Sequence, residues 1–376
     1  MTTVVPEKSV SVPLRQVEAE LSRQMKALQG ADETPVQRAC MSNLVIFCDR
    51  SDHAEEVAVQ IPQIVAAHRA RVLLVVGEAG SERDTAGVAA SVLVRRMQAG
   101  RNNHSFSEQV TLHASGGAIG ALPFAVRALL IGDLPINLWW RSPQPPPLAG
   151  PPLYELAENA QQIIYDSLGW VEPTRAVAAT FSWLQQFEQG LRGGRWRVAS
   201  DLNWRRLKYW RRVINQEFDD AVAPGAFTSA TELLVEHGPH AVVQAWELVS
   251  WLTCQLGWQV QAGKVQQGLE IAWQFQAPHG LVRVRIRRLP EGASEVLLLR
   301  MQCQPAGTPG AVVIRPEEGR RLVVVQEGVS TAPRTTSIQP QSPAELLGRQ
   351  LSDRDRDPVF IQSMAVAQEL AKSVMD

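Results

Sequence analysis

Apolar and polar positions along this chain follow two regimes. Up to about residue 225, short apolar runs alternate with segments whose apolar residues recur at helical spacing. Leu14, Val17, Leu21, Met25 and Leu28 share one face, so Pro13 to Gln29 reads as an amphipathic helix ended by Gly30. NLVIFC and RVLLVVG read as buried strands, ASVLVRRM and EQVTLHA as shorter strand candidates, and INLWW and QQIIYDS as further strands. Between them, HAEEVAVQIPQIVAAHRA, AIGALPFAVRALLIG, LYELAENA and RAVAATFSWLQQFEQG read as helices, the first kinked or shortened by Pro62. Strands that alternate with helices predict a parallel sheet.

From about residue 226 the rhythm changes. TELLVEHG is a strand, and Pro239 opens a helix from His240 to about Leu256 that Gly257 closes. LEIAWQF, LVRVRIRRL, EVLLLRMQC, AVVIRP and RLVVVQE then follow with no helix between them, which predicts an antiparallel sheet. EGVSTAPRTTSIQPQ reads as a loop. Ser342, Pro343 and Glu345 spell a capping box, and Asp357-Pro358 opens a last helix. The expectation is an α/β N-terminal domain with a mainly parallel sheet over 1–225, and an α+β C-terminal domain with an antiparallel sheet over 226–376.

Charge narrows the choice of partners. Lys plus Arg is 37 and Asp plus Glu is 38, a formal net charge of -1, so no nucleic-acid partner is expected. The N-terminus lacks an apolar run of signal-peptide length, and no uninterrupted window of about 18 apolar residues occurs. A cytoplasmic protein without a membrane partner is expected. Four cysteines are too few for a disulfide framework in 376 residues. Cys40 and Cys48, around the first strand, are the redox candidates; the plainer reading is four small buried hydrophobes.

Catalytic signatures are scarce. There is no phosphate loop, no G-x-S-x-G elbow and no C-x-x-C, and the seven histidines lack metal-ligand spacing, so neither metal nor cofactor is expected. ASGGAIG could be an anion site at a helix start or a tight strand-to-helix turn. It motivates one alternative, a sugar-phosphate- or nucleotide-binding α/β enzyme.

What stands out is SDLNWRRLKYWRRV, Ser200 to Val213. Arg205, Arg206, Lys208, Arg211 and Arg212 interleave with Trp204, Tyr209 and Trp210. With Arg192, Arg195 and Arg197 just upstream, Leu191 to Val213 holds eight cations against Asp201 alone, a local charge near +7. As a helix over 204–218, it puts Leu207, Trp210, Ile214 and Phe218 on a core stripe and Arg205, Lys208 and Arg212 opposite; Asp201 or Asn203 could cap it. Arg283, Arg285 and Arg287 share one strand face. Trp139 and Trp140, followed by Arg141, should send one ring into the core and the other towards a helix layer or a partner. Trp and Arg are enriched at interface hot spots, so Trp139, Trp140, Arg141, Trp204, Arg205, Arg206, Lys208, Arg211 and Arg212 are the candidate partner-binding residues.

LLIGDLPINLWWRSP and SDLNWRRLKYWRRVI together resemble the glucose-6-phosphate dehydrogenase assembly proteins, the OpcA family of cyanobacterial type, and RACMSNLVIFCD fits that family too. The matching segments are Asp133 to Arg141 and Asp201 to Arg211, and the order of elements agrees from about residue 14 to residue 330. The resemblance implies a protein that is not an enzyme. It would bind glucose-6-phosphate dehydrogenase, favour its active oligomer and raise NADPH production in the oxidative pentose phosphate pathway. A redox link through thioredoxin is also implied.

Overall fold

The computed structural model describes residues 9–29, 40–79, 87–98, 104–189, 197–219, 221–266, 270–318, 320–328, 332–339 and 341–375. Arg192 and Arg195 of the basic stretch lie outside them. The first half runs β1 (Val10–Val12), α1 (Val17–Leu28), β2 (Ser42–Cys48), α2 (Ser51–Ala67), β3 (Ala70–Glu78), β4 (Ala89–Gln98), β5 (His104–Ser115), α3 (Leu122–Leu129), β6 (Ile136–Arg141), α4 (Pro151–Ala157), β7 (Gln162–Tyr165), α5 (Pro173–Gln189) and β8 (Val198–Asp201). Its sheet has the order β1-β4-β5-β3-β2-β6-β7-β8. The five strands β5, β3, β2, β6, β7 and their neighbour β8 are parallel, while β4 returns antiparallel on β5 and β1 antiparallel on β4.

After α6 (Leu202–Arg206) and α7 (Lys208–Glu217) come β9 (Ala230–His237), α8 (Val242–Leu256), β10 (Gln259–Gln266), β11 (Glu270–Ala277), β12 (Gly280–Arg288), β13 (Val296–Cys303), β14 (Gly310–Glu317), β15 (Arg321–Glu327) and β16 (Arg334–Ser337). The order is β10-β11-β12-β9-β13-β14-β15-β16. The sheet is mostly antiparallel, but β12 runs parallel to β9 because α8 carries the chain across before β10. Gly257 ends α8 in a left-handed conformation (φ 64°), the usual glycine stop. Two helices close the chain, α9 (Pro343–Ser352) with the capping box of Ser342 and Glu345, and α10 (Pro358–Ser373).

The first sheet is buried on both faces. All seven residues of β2 are buried. One face packs Leu44, Ile46, Val72, Leu74 and Trp139 against α2 and α9. The other packs Val45, Phe47, Val75 and Trp140 into a core shared with α1, α3, α5, α8, α10 and the inner face of the second sheet. Each such side chain contributes roughly 1.5–3 kcal/mol by leaving water. Thus α9 covers the first sheet, although it follows the second in the chain. It sits so close to α2 that a Cβ on Gly348 would lie 2.8 Å from Ala67 Cβ.

Several local expectations need correction. α2 runs unbroken through Pro62. The helix expected over 204–218 is two helices that change direction at Leu207. The stretch expected as a loop before Ser342 contains β16, and β1, β8 and β10 were not anticipated. Gly116 (φ 55°) makes the turn that ends β5, the position in ASGGAIG that needs glycine.

Candidate functional site

The basic stretch leaves β8 and turns into α6 at the rim of the first sheet. Asp201 makes the turn: its Oδ1 accepts from Asn203 N (2.8 Å) and Ser167 N (3.1 Å), which settles the cap in favour of Asp201. Leu207, Trp210 and Ile214 are buried, as an apolar stripe requires.

Most of the cations do not face solvent. Arg206 grips Asp166 with two bonds of 2.7 Å, a fork-to-fork pair. Burial opposes ionisation of Asp166, but Arg206 outweighs it and holds the carboxyl below its ordinary range. Arg205 donates to Gln350 Oε1 (2.7 Å) and Asp353 Oδ2 (2.5 Å). Arg211 lies over the Trp204 ring, 3.6 Å from its centroid, and donates to the Trp204 carbonyl (2.7 Å). Burial brings Arg211 down to about 10. Arg197 stacks on Phe187 at 5.0 Å and bonds the Glu158 carbonyl. Lys208 and Arg212 are the two exposed cations among the described residues of the stretch.

Acidic partners come from the connector between α9 and α10. Asp357 caps α10 through Val359 N and Phe360 N (both 3.0 Å), and its other oxygen accepts from Trp204 Nε1 (2.8 Å). One carboxylate thus ties the basic stretch to the last helix. Between the two lies an open groove of about 400 Å³, walled by Arg205, Lys208 and Arg211 on one side and Asp353, Asp355 and Asp357 on the other. Its charges are mixed, not uniformly cationic as the local count of +7 implied.

The other predicted site residues lie elsewhere. Both indoles of β6 are inside: Trp139 faces the α2–α9 layer, and Trp140 stacks on Phe47 at 4.3 Å while donating to the Gln144 carbonyl (2.9 Å). Arg141 pairs with Glu56 at 3.6 Å. Arg285 and Arg287 are held by Glu232, Glu270 and Glu236. Cys40 and Cys48 stand beyond and at opposite ends of β2, seven residues long. That strand separates them by about 20 Å, far outside the roughly 7 Å that a disulfide needs. Burial pushes the Cys48 thiol up to about 12, which makes it a poor nucleophile.

The carboxyl ends of the parallel strands are where doubly wound folds hold a dinucleotide, with its phosphates on the first helix N-terminus. Here the turn from β2 into α2 reads Asp49-Arg50-Ser51-Asp52, without glycine. Glu78, from the end of β3, accepts from Ser51 N at 2.7 Å. The Ser51 hydroxyl, together with that backbone bond, holds Glu78 below the usual carboxylate range. Asp49 accepts from Ser142 Oγ (2.8 Å) and contacts His53 Nδ1 (3.0 Å). The chain's own carboxylates occupy the anion seat, so these residues do not fit a pyrophosphate.

Comparison with known proteins adds the decisive observation. Two family models of the glucose-6-phosphate dehydrogenase subunit match: its N-terminal domain over residues 62–181, and its C-terminal domain over residues 197–364. This chain belongs to the OpcA family. An OpcA relative from Nostoc punctiforme, described as a putative OxPP cycle protein, is 26% identical over 278 residues, covering 70% of this chain and 57% of the relative. Another OpcA of that description, from Synechococcus elongatus, is 24% identical over 271 residues, covering 69% and 58%. The chain therefore spans less than two thirds of these OpcA relatives. An oxidoreductase from Sinorhizobium meliloti shares the two-sheet architecture, with a TM-score of 0.51 over 90% of this chain and 97% of that one, at 10% identity. That likeness concerns the fold alone. No described helix is long and apolar enough to cross a membrane.

The counter-ions of the basic stretch escaped the sequence reading. SDRDRDP, Ser352 to Pro358, was the available signal: an alternating charge run beside a helix start, 148 residues from Arg205.

Proposed function

We propose that this chain is a non-catalytic, cytoplasmic assembly factor for glucose-6-phosphate dehydrogenase that stabilises the enzyme's active form and so supports NADPH production in the oxidative pentose phosphate pathway. The observation that carries the reading is the match to both domains of the dehydrogenase-subunit family, across both sheets. Glu78, from the end of β3 and seated against the first turn of α2, agrees with it, since it disfavours a dinucleotide-dependent reaction of the chain's own. The docking surface we assign is the groove rim, where Lys208 projects and Trp204 and Arg211 form a rigid wall, extended by exposed Arg212 one turn along α7. The internally paired Arg205 and Arg206 position that wall. Trp139 and Trp140 hold the sheet behind it.

Activation on this reading is a population shift: the chain binds the active enzyme more tightly than the inactive one. A tenfold preference corresponds to about 1.4 kcal/mol. The cysteine geometry offers no pair among Cys40 and Cys48 for thioredoxin to reduce, so redox control is not part of the proposal. The test mixes the purified chain with the dehydrogenase. Co-elution and a raised turnover or lowered KM are expected, and Lys208→Glu with Arg212→Glu should weaken both without lowering thermal stability. Undiminished activation by that folded double variant would place the contact elsewhere; no complex with the unaltered chain would remove the function itself.

A further inference from the structure

Behind the groove wall lies a second polar cluster that docking does not use. Glu247, on the inward side of α8, is 1% exposed, and Asp201, at the end of β8, is 3% exposed. They line a small cavity between the halves, closed by Trp170, Trp246, Met364 and Ala367. Both carboxyl groups are thus turned into the same closed space, out of reach of water. Asp201 also lines the docking groove, so one side chain is shared by cavity and groove.

Two ionised carboxylates buried side by side repel each other and lack water to screen them; a proton kept on one relieves both costs. We propose that Asp201 and Glu247 form a proton-holding latch between the two sheets, in which a retained proton seats α8 against the β8–α6 corner. The surrounding charges require it. Arg206 is committed to Asp166, so that pair adds no net charge. Among the described residues, Arg211, from α7, is a further cation whose charge acts on Glu247, and it is stacked on Trp204 instead of being gripped by a carboxylate fork. From β7, Tyr165 is buried nearby as a neutral phenol, and Glu188 of α5 acts on it only at a distance. From α10, only Met364 and Ala367 reach the cavity. With one proton the local sum of Asp201, Glu247 and Arg211 is neutral; without it, a second negative charge stands in the junction. Glu247 Oε2 has no hydrogen-bond partner among the described residues to offset that charge.

The direction of the pH effect follows. Burial, then Asp166, raises Asp201 to about 7, and burial, then Asp201, raises Glu247 well above its ordinary value. Groups raised on folding contribute stability that is complete below the unfolded carboxyl range, near pH 4, and is lost as pH climbs through the folded values. The latch should therefore loosen on the alkaline side of neutrality. This inference does not rest on the docking partner and is tested without it.

The experiment compares the thermal midpoint of the full chain with that of Glu247→Gln between about pH 6 and about pH 9. Gln keeps the size and donor capacity of a protonated Glu without a proton to lose. The unaltered chain should lose roughly 2–4 °C more than the variant across that interval. Infrared difference spectra of the unaltered chain at neutral pH should show a buried protonated carboxyl, which Glu247→Gln removes. Parallel pH profiles for the two proteins would overturn the latch. So would the lack of a protonated-carboxyl band in the unaltered chain, a readout that stands even if the variant fails to fold.

Discussion

The two sheets use the same pair of residue types in opposite ways. In the first, Arg71 is 2% exposed; it donates to Glu108 Oε2 (2.8 Å), Glu18 Oε1 (2.6 Å) and the Leu129 carbonyl (2.9 Å). It pins α1 and the end of α3 to the same face of the sheet. In the second sheet, Arg285, Arg287 and Arg300 pair with Glu232, Glu236 and Glu327 on the face away from α8 and α10, where water reaches them. In the sheet covered on both faces, Arg71 and Glu108 are paired out of water, with half-exposed Glu18 closing the cluster from the rim. A sheet covered on one face spreads pairs across its wet side, where each contributes little.

The largest effect expected from that contrast is at Arg71. Arg71→Ala removes the guanidinium that offsets buried Glu108 and should cost about 3–5 kcal/mol, read by urea denaturation. A loss as small as that of a surface pair would break the contrast. Next, Ser342→Ala removes the capping box of α9 and should cost about 1 kcal/mol, the midpoint falling without a change in m. The smallest effect should come from Arg287→Ala on the wet face, under about 1 kcal/mol and diminished further by salt. If Arg287→Ala matched Arg71→Ala, the second sheet's outer face would be covered in solution.

The same contrast explains which elements could be read from sequence. β2 and β3 stand out because strands buried on both faces are unbroken apolar runs. β12 stands out because alternate residues face in and out. β10, QVQAGKVQ, escaped because it is an edge strand with almost no inward apolar residues, and β16, RTTS, for the same reason. Register and long-range pairing were not legible. Nothing near Arg205 announces Asp353, and nothing near Asp201 announces Glu247: the first contact needs α9 back on the first sheet, the second needs α8 packed against the β8–α6 corner. The cationic count was correct for the chain and misleading for its surface: four of the six described cations there are spent inside.

The return of α9 to α2 sets a schedule for biosynthesis. Leu346, Leu347 and Leu351 complete a layer whose α2 members, among them Val57 to Val65, left the ribosome almost three hundred residues earlier. Until then the outer flank of α2 stays greasy and wet, so the nascent first half must wait, shielded or at risk of aggregating, for α9 to arrive.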